Sequence, residues 1–122
     1  MITFIVHANI NDGLEDQLEE AMQTITTVAA AKEPDFATYT HFADDKRTVT
    51  FVNLASDSAA LGAHFAVAGN NPATPAMMAA LEVTAVEIYG ELTPDVEAMV
   101  AGMNPTRFLP DIGTFDRRLA SA

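Results

Sequence analysis

The amino-acid sequence predicts one domain of the α+β class, in which a four-stranded antiparallel sheet carries helices on one face. Segments rich in β-branched and aromatic residues alternate with segments of helical apolar periodicity, in the order strand, long helix, strand, strand, helix, strand. That order is the split βαβ, or ferredoxin-like, pattern. The length of 122 residues suits a single domain with its own core.

The first half of the chain supplies three strands and one long helix. Residues 2–10 predict the first strand because they alternate and are rich in β-branched and aromatic types. Residues 12–15 are typical of a capping box that starts the long helix, and Pro34 ends that helix. Residues 36–42 and a strand that begins at Thr48 are joined by a polar turn, which predicts an antiparallel hairpin.

The third strand passes into the second helix across Ser56 and Asp57, two good N-cap residues. The apolar positions that follow recur at the spacing of one helix face, and His64 lies among them. Gly69 is the predicted end of the helix. The face consists of Leu61, His64, Phe65 and Ala68.

The remaining elements follow two Thr-Pro pairs, each typical of a helix start. Thr74-Pro75 predicts a short helix to about Leu81, and residues 83–92 predict the fourth strand, in which alternation places Tyr89 and Val83 on one face. Thr93-Pro94 predicts a helix to about Gly102.

We therefore divide the chain into a ferredoxin-like unit at residues 1–92 and a C-terminal helix and packed tail of the same domain at residues 93–122. The tail has no clear period, but it carries too many apolar groups for a solvated segment, so we expect it to pack on its own subunit or on a partner. Those groups are Phe108, Leu109, Ile112 and Phe115, and the tail also holds three of the six positive charges, Arg107, Arg117 and Arg118, which we expect to dock on an acidic body.

Composition excludes several classes of function. A formal net charge of −11 argues against nucleic acid and against anionic membrane surfaces as partners. No apolar run is long enough to span a bilayer, and no signal peptide is recognisable. The absence of cysteine suits the reducing cytoplasm. The three histidines lie on separate elements without ligand spacing, so no metal is predicted, and no nucleotide-cofactor motif is present.

His64 is the strongest candidate for a functional residue. An imidazole on an apolar helix face needs a partner or a cavity, because an unpaired buried polar group costs about 1–3 kcal/mol. One interpretation is a structural histidine that bonds a backbone carbonyl. The other is a pocket histidine that acts as a general base or orients a substrate hydroxyl.

The passage from the third strand to the second helix resembles the antibiotic biosynthesis monooxygenase (ABM) family of the dimeric α/β-barrel superfamily. The family pattern places Asp, then Ala and a bulky apolar residue, then His, and Asp57, Ala60, Leu61 and His64 match it in place. Asn53 stands where the family often has Glu, and Ala55 stands where it has Trp or Tyr. The resemblance covers residues 2–92.

The resemblance implies a cofactor-independent monooxygenase that acts on a small electron-rich aromatic such as a quinol, phenol or anthrone. His64, or else His7, would be the base, and the remaining candidates for substrate binding are Asn53, Tyr39 and Tyr89. The sheet face without helices needs cover, which predicts a homodimer. Two alternatives stay open: a non-oxidative isomerase or cyclase of the same superfamily, and a non-catalytic dimer that binds a small molecule or serves as a stress or accessory protein.

Overall fold

A computed structural model describes residues 1–116 and confirms the α+β class and the predicted order of the first four strands and their helices. The strands are β1 (Ile2–Ile10), β2 (Phe36–Phe42), β3 (Thr48–Ala55), β4 (Leu81–Tyr89) and β5 (Thr106–Phe108). The helices are α1 (Glu15–Lys32), α2 (Ser58–Asn70), α3 (Thr74–Ala79) and α4 (Pro94–Val100), and a 3₁₀ turn (Ala101–Met103) follows α4.

The sheet has five strands and is mixed, so the prediction of four antiparallel strands is wrong in this respect. Its order is β2-β3-β1-β4-β5, with antiparallel pairing throughout except between β4 and β5, which are parallel. The additional strand consists of three residues, from Thr106 to Phe108, which pair with Glu87–Tyr89. A strand of three residues is too short to show a recognisable alternation. It is extended because it pairs with the edge of β4.

The core lies between one face of the sheet and the helices. Alternate residues of β1 turn to this face, as the sequence predicts, and the same holds for β3, where Val49, Phe51 and Asn53 are buried. Helix α1 contributes a buried stripe at the predicted spacing, and Leu61 of α2 is fully buried. The stripe of α1 is Leu18, Ala21, Ile25 and Ala29.

A bulge in β4 changes the predicted face of Val83. The pairing with β1 shifts by one residue between His7 and Ala8, so that Ala8 lies opposite Val83 whereas His7 lies opposite Ala85. Thr84 is the extra residue, and its hydroxyl donates to the carbonyl oxygen of His7 at 3.1 Å. The bulge turns Val83 to the helix-covered face, and simple alternation from Tyr89 is therefore wrong at this residue.

The helix ends agree with the sequence at some positions and differ at others. Asp57 caps α2, because its side chain accepts from the Ala60 amide at 2.8 Å. The capping box at residues 12–15 does not form: α1 begins at Glu15 after a tight turn, and its N-cap residue, Leu14, has no capping side chain. Helix α2 extends one residue beyond Gly69.

The C-terminal tail packs in part on its own subunit. Phe108 stacks on Tyr89 with ring centroids 4.2 Å apart, and Arg107 pairs with Glu97 of α4. Leu109 and Ile112 are fully or almost fully exposed. Arg117 and Arg118 lie outside the described residues, so their predicted docking, like the proposed division at residue 92, stays a prediction.

Gly90, which links β4 to the segment before α4, occupies a conformation that other residues rarely adopt. Its φ is +112°, and a Cβ added there would lie 2.7 Å from Ile2 Cδ1 and 3.1 Å from the Met1 carbonyl oxygen. We expect Gly90→Ala to lower the free energy of unfolding by about 1–3 kcal/mol, measured by chemical denaturation. The control is Gly69→Ala, where a Cβ meets nothing within 4 Å. Equal stability of the two variants would contradict the expectation.

Candidate active site

A cavity of about 470 Å³ lies between the helix-covered face of the sheet and helices α1, α2 and α3. Its lining includes Phe4, Met22, Phe51, Phe65 and Met77 and is otherwise mostly aliphatic, and among residues 1–116 no Lys, Arg, Asp or Glu side chain lines it. Cavities of this size and character are typical of sites for small organic molecules. The polar residues among the lining are Thr38, Asn53, His64 and Thr74.

His64 faces this cavity from α2 and is held from behind by a buried carboxylate. Its Nδ1 lies 2.9 Å from Glu33 Oε1, and the Glu33 side chain is only 4% exposed. Glu33 is the residue directly after α1, where its amide donates to the Ala29 carbonyl and Pro34 prevents the helix from continuing. The end of α1 therefore fixes the orientation of an imidazole on α2.

Aromatic rings complete the setting of the imidazole. Phe36, the first residue of β2, stacks on His64 with centroids 4.0 Å apart and planes 11° apart. Phe65 also contacts the imidazole, with ring centroids 5.7 Å apart and planes tilted by 51°, and itself meets Phe4 edge to face at 5.5 Å. The ring of His64 thus has one hydrogen-bonded edge and two apolar neighbours, which restrict its rotation.

Burial lowers the pKa of His64 below its ordinary value of 6.5, because an apolar setting disfavours the imidazolium ion. The negative charge of Glu33 and its hydrogen bond act in the opposite direction, but their effect is smaller. The lowered pKa favours the neutral form of His64 at pH 7. A neutral imidazole can accept a proton, which is what a general base requires.

The hydrogen bond to Glu33 determines which nitrogen is the base. An ionised carboxylate can only accept hydrogen bonds, so beside an ionised Glu33 it is Nδ1 that carries the hydrogen and Nε2 that keeps its lone pair. Within residues 1–116, Nε2 makes no hydrogen bond to another residue. The arrangement of carboxylate, imidazole and free Nε2 is one that orients a base and stabilises its protonated form.

Asn53 is the second sequence candidate that the structure places at the cavity. It is 5% exposed on β3, and its Nδ2 donates to the Phe4 carbonyl oxygen at 3.0 Å. This bond fixes the amide and leaves one N–H and the Oδ1 without a partner among the described residues. Asn53 can therefore donate to an oxygen atom of a bound molecule.

The other three sequence candidates lie on the opposite, helix-free face of the sheet. His7 pairs with Glu87 there at 2.9 Å, Tyr39 is about half exposed, and Tyr89 stacks on Phe108. None of the three lines the cavity, so the structure brings together only His64 and Asn53. A role of His7, Tyr39 and Tyr89 in substrate binding would therefore concern a place outside this cavity, and it stays a prediction.

Glu33 is the residue that sequence reasoning missed. It lies between the last helical residue, Lys32, and Pro34, which the sequence predicts as the end of the long helix. A signal was nevertheless present, because a carboxylate at the C-terminal end of a helix opposes the helix dipole. Such a placement indicates another partner, which here is His64.

No group of three or more His, Cys, Asp or Glu side chains in residues 1–116 could hold a metal ion. No helix in the same range is long and apolar enough to cross a membrane.

Comparisons with known proteins support the fold. No family model and no curated protein match the chain. Among solved structures, MupZ from Pseudomonas fluorescens is 14% identical with a TM-score of 0.80, over 97% of this chain and 91% of that one. SnoaB, a cofactor-independent oxygenase from Streptomyces nogalater, is 16% identical with a TM-score of 0.62, over 75% of this chain and 93% of that one.

A crystal structure described as an antibiotic biosynthesis monooxygenase gives a similar result. It is 18% identical with a TM-score of 0.63, over 76% of this chain and all of that one. At these identities the likeness concerns the fold and not the activity. The resemblance that the residues between Asp57 and His64 indicate is thereby confirmed at the level of the fold: the chain has the fold of the antibiotic biosynthesis monooxygenases.

Proposed function

We propose that this chain is a cofactor-independent monooxygenase whose substrate is a small, neutral, electron-rich aromatic with one weakly acidic proton. The observation that carries the proposal is His64, which lines an apolar cavity while the buried Glu33 holds its Nδ1 and Nε2 has no hydrogen-bond partner within residues 1–116. Neighbours such as SnoaB, a cofactor-independent oxygenase, add support through the shared fold.

The proposed reaction needs only a base, a donor and molecular oxygen. Nε2 of His64 takes the acidic proton of the substrate, and the resulting anion, stabilised by the Asn53 amide, gives electrons to oxygen. For anthrone the overall change is one anthrone and one O₂ to one anthraquinone and one H₂O. One oxygen atom enters the product as a carbonyl, the other leaves as water, and the substrate supplies all four electrons.

The cavity lining favours a neutral ligand over a charged one. The polar residues that line the cavity in the described part of the chain are two threonines, an asparagine and a histidine, so a carboxylate or ammonium group would meet no charged partner among them. Burying an unpaired ion is far more costly than burying a neutral hydroxyl. A phenol or anthrone places one acidic group at Nε2 and offers apolar surface elsewhere.

We also propose that the chain forms a homodimer in the cytoplasm through the helix-free face of the sheet. That face presents Ile5, Val52 and Leu54, all partly exposed, together with the more exposed Tyr39. A second copy would cover these apolar groups by a two-fold arrangement of sheets. The absence of cysteine is compatible with a reducing compartment.

The role of His64 can be tested by turnover. We expect His64→Gln to lower the rate of oxygen uptake with anthrone, after subtraction of the uncatalysed rate, by at least about 100-fold, because a positioned base contributes that much or more. The matched control is His41→Gln, an exposed histidine on the opposite face of the sheet, which we expect to keep wild-type rates.

Two outcomes would contradict the proposal in different ways. Full turnover in His64→Gln would remove His64 from the reaction. Binding of anthrone by the wild type without oxygen uptake would instead favour the non-catalytic alternative. An unfolding curve for each variant separates loss of the base from loss of the fold, since a purely structural His64 would mainly affect stability.

The pKa of His64 gives a second test. By NMR, we expect its imidazole to titrate below 6.5, and lower still in Glu33→Gln, because that change removes the negative charge that raises the pKa. The matched control is Glu87→Gln, which removes the carboxylate partner of His7 on the other face and should leave His64 unchanged. A higher pKa in Glu33→Gln would contradict the proposed pairing.

Stability should follow the same sign. Because the folded chain binds the His64 proton more weakly than the unfolded chain, its free energy of unfolding falls as pH drops below 6.5 towards the folded-state pKa. His64→Gln has no imidazole to protonate, so its free energy of unfolding lacks this contribution to the decrease. The difference in free energy of unfolding between the wild type and His64→Gln should therefore change between pH 6.5 and the folded-state pKa, and it should be constant above pH 6.5. Denaturant unfolding at a series of pH values measures it.

Sedimentation tests the dimer. We expect the wild type to sediment at twice the mass of one chain, and Val52→Glu, in the middle of the helix-free face, to sediment as a monomer because it would bury a charge in the interface. Ala66→Glu, on an exposed position of α2, is the control and should stay dimeric. A monomeric wild type would refute the paired sheets.

A further inference from the structure

The mouth of the cavity is formed by residues that line it and are also exposed to solvent. Most lining residues are buried or partly buried, but four are exposed, on α3, on β4 and on the 3₁₀ turn. These four are Met78, Val83, Gly102 and Met103. Two of them belong to the C-terminal extension, which lies outside the sequence resemblance.

Gly102 adds no side chain to this mouth, although the backbone conformation at this position does not require glycine. Its φ is not in the left-handed region, and a Cβ built there would meet no atom within 4 Å. Glycine in a helical turn is less favourable than alanine by about 1 kcal/mol. A glycine without a conformational reason, at the rim of a cavity, keeps the opening wide.

Met103 is the next residue and has the opposite character. Its side chain lines the cavity while 40% of the residue remains exposed, so it lies at the boundary between cavity and solvent. Methionine is unbranched and has several rotatable bonds, which allow it to adapt to ligands of different shape. The pair therefore combines an opening with a flexible apolar edge.

The 3₁₀ turn that carries this pair is firmly held. Helix α4 directly precedes it and is anchored by Val96 and Val100, each 1% exposed in the core. Arg107 bonds both the Glu97 carboxylate and, at 2.9 Å, the Gly90 carbonyl oxygen, so it links β5 to α4 and to the end of β4. The backbone of the turn is therefore held in place, while the Met103 side chain can still adapt.

We infer that Gly102 and Met103 determine the width of ligand that the cavity admits, and that the glycine permits flat polycyclic aromatics. The inference rests on the proposed function for the class of ligand, a neutral aromatic hydroxyl compound. It adds a specificity role for the C-terminal extension, whose described residues, up to 116, supply no base and no donor to the site.

The test compares two fluorescent phenols of different width, 2-naphthol with two fused rings and 1-hydroxypyrene with four. The chain has no tryptophan, so both ligands can be excited and titrated without a protein signal. We expect Gly102→Leu to weaken 1-hydroxypyrene binding at least tenfold and 2-naphthol binding less than threefold. Gly102→Ala should change the ratio of the two dissociation constants in the same direction, but less.

Met103→Ala should shift that ratio towards the larger ligand, because it widens the mouth. The matched control is Met99→Ala, which removes a methionine of similar exposure from α4 that does not line the cavity and should leave the ratio unchanged. An unfolding curve for each variant verifies the fold, and the two smaller substitutions give the ratio if Gly102→Leu does not fold.

The outcomes separate the inference from the proposed function. An unchanged ratio in all rim variants, with both ligands bound by the wild type, would overturn the role of Gly102 and Met103 alone. Failure of the wild type to bind either phenol would overturn the ligand class and the inference with it. A change of ratio in the Gly102 and Met103 variants only would support both.

Discussion

The hydrogen bond between His64 and Glu33 is the interaction on which the candidate site depends. It joins α2 to the residue directly after α1, two positions 31 residues apart in the chain, at an Nδ1–Oε1 distance of 2.9 Å. Without the carboxylate, an imidazole in this apolar setting would have no partner and no fixed tautomer. With it, Nε2 is the ring nitrogen left for a ligand in the cavity that His64 lines, and the stacked ring of Phe36 limits other orientations.

The fold explains why this pair lies beside a cavity. One face of the sheet is covered by helices that pack closely at two core clusters, one around Leu61 and one around Leu18. Beside the cluster around Leu18 the helices contribute adaptable side chains such as Met22 and Met77, which line the cavity together with Phe51 and Asn53. A buried base and an empty apolar volume are thus consequences of the same packing, and together they are what a cofactor-free reaction with an aromatic anion requires.

Sequence patterns could predict the elements with a clear period but not those defined by their neighbours. The apolar stripe of α2 predicts that His64 faces the core, and alternation in β3 predicts that Asn53 lies on a buried face. Both residues line the cavity. Strand β5 cannot be predicted from the sequence, because three residues are too few to show a period. The face of Val83 cannot be predicted either, because the bulge at Thr84 depends on the pairing of β4 with β1. Residue type alone makes His7 and Tyr89 candidates for the same site as His64. The pairing of the strands shows that they lie on the helix-free face of the sheet, away from His64.

The most direct measurement is a crystal structure of the protein with 1-naphthol bound. The proposed mechanism predicts the phenolic oxygen within hydrogen-bonding distance, about 2.6–3.2 Å, of His64 Nε2, with the rings in the apolar cavity and the Glu33 contact to Nδ1 intact. A ligand bound on the helix-free face, or in the cavity with its hydroxyl turned away from Nε2, would contradict the assignment of His64 as the base.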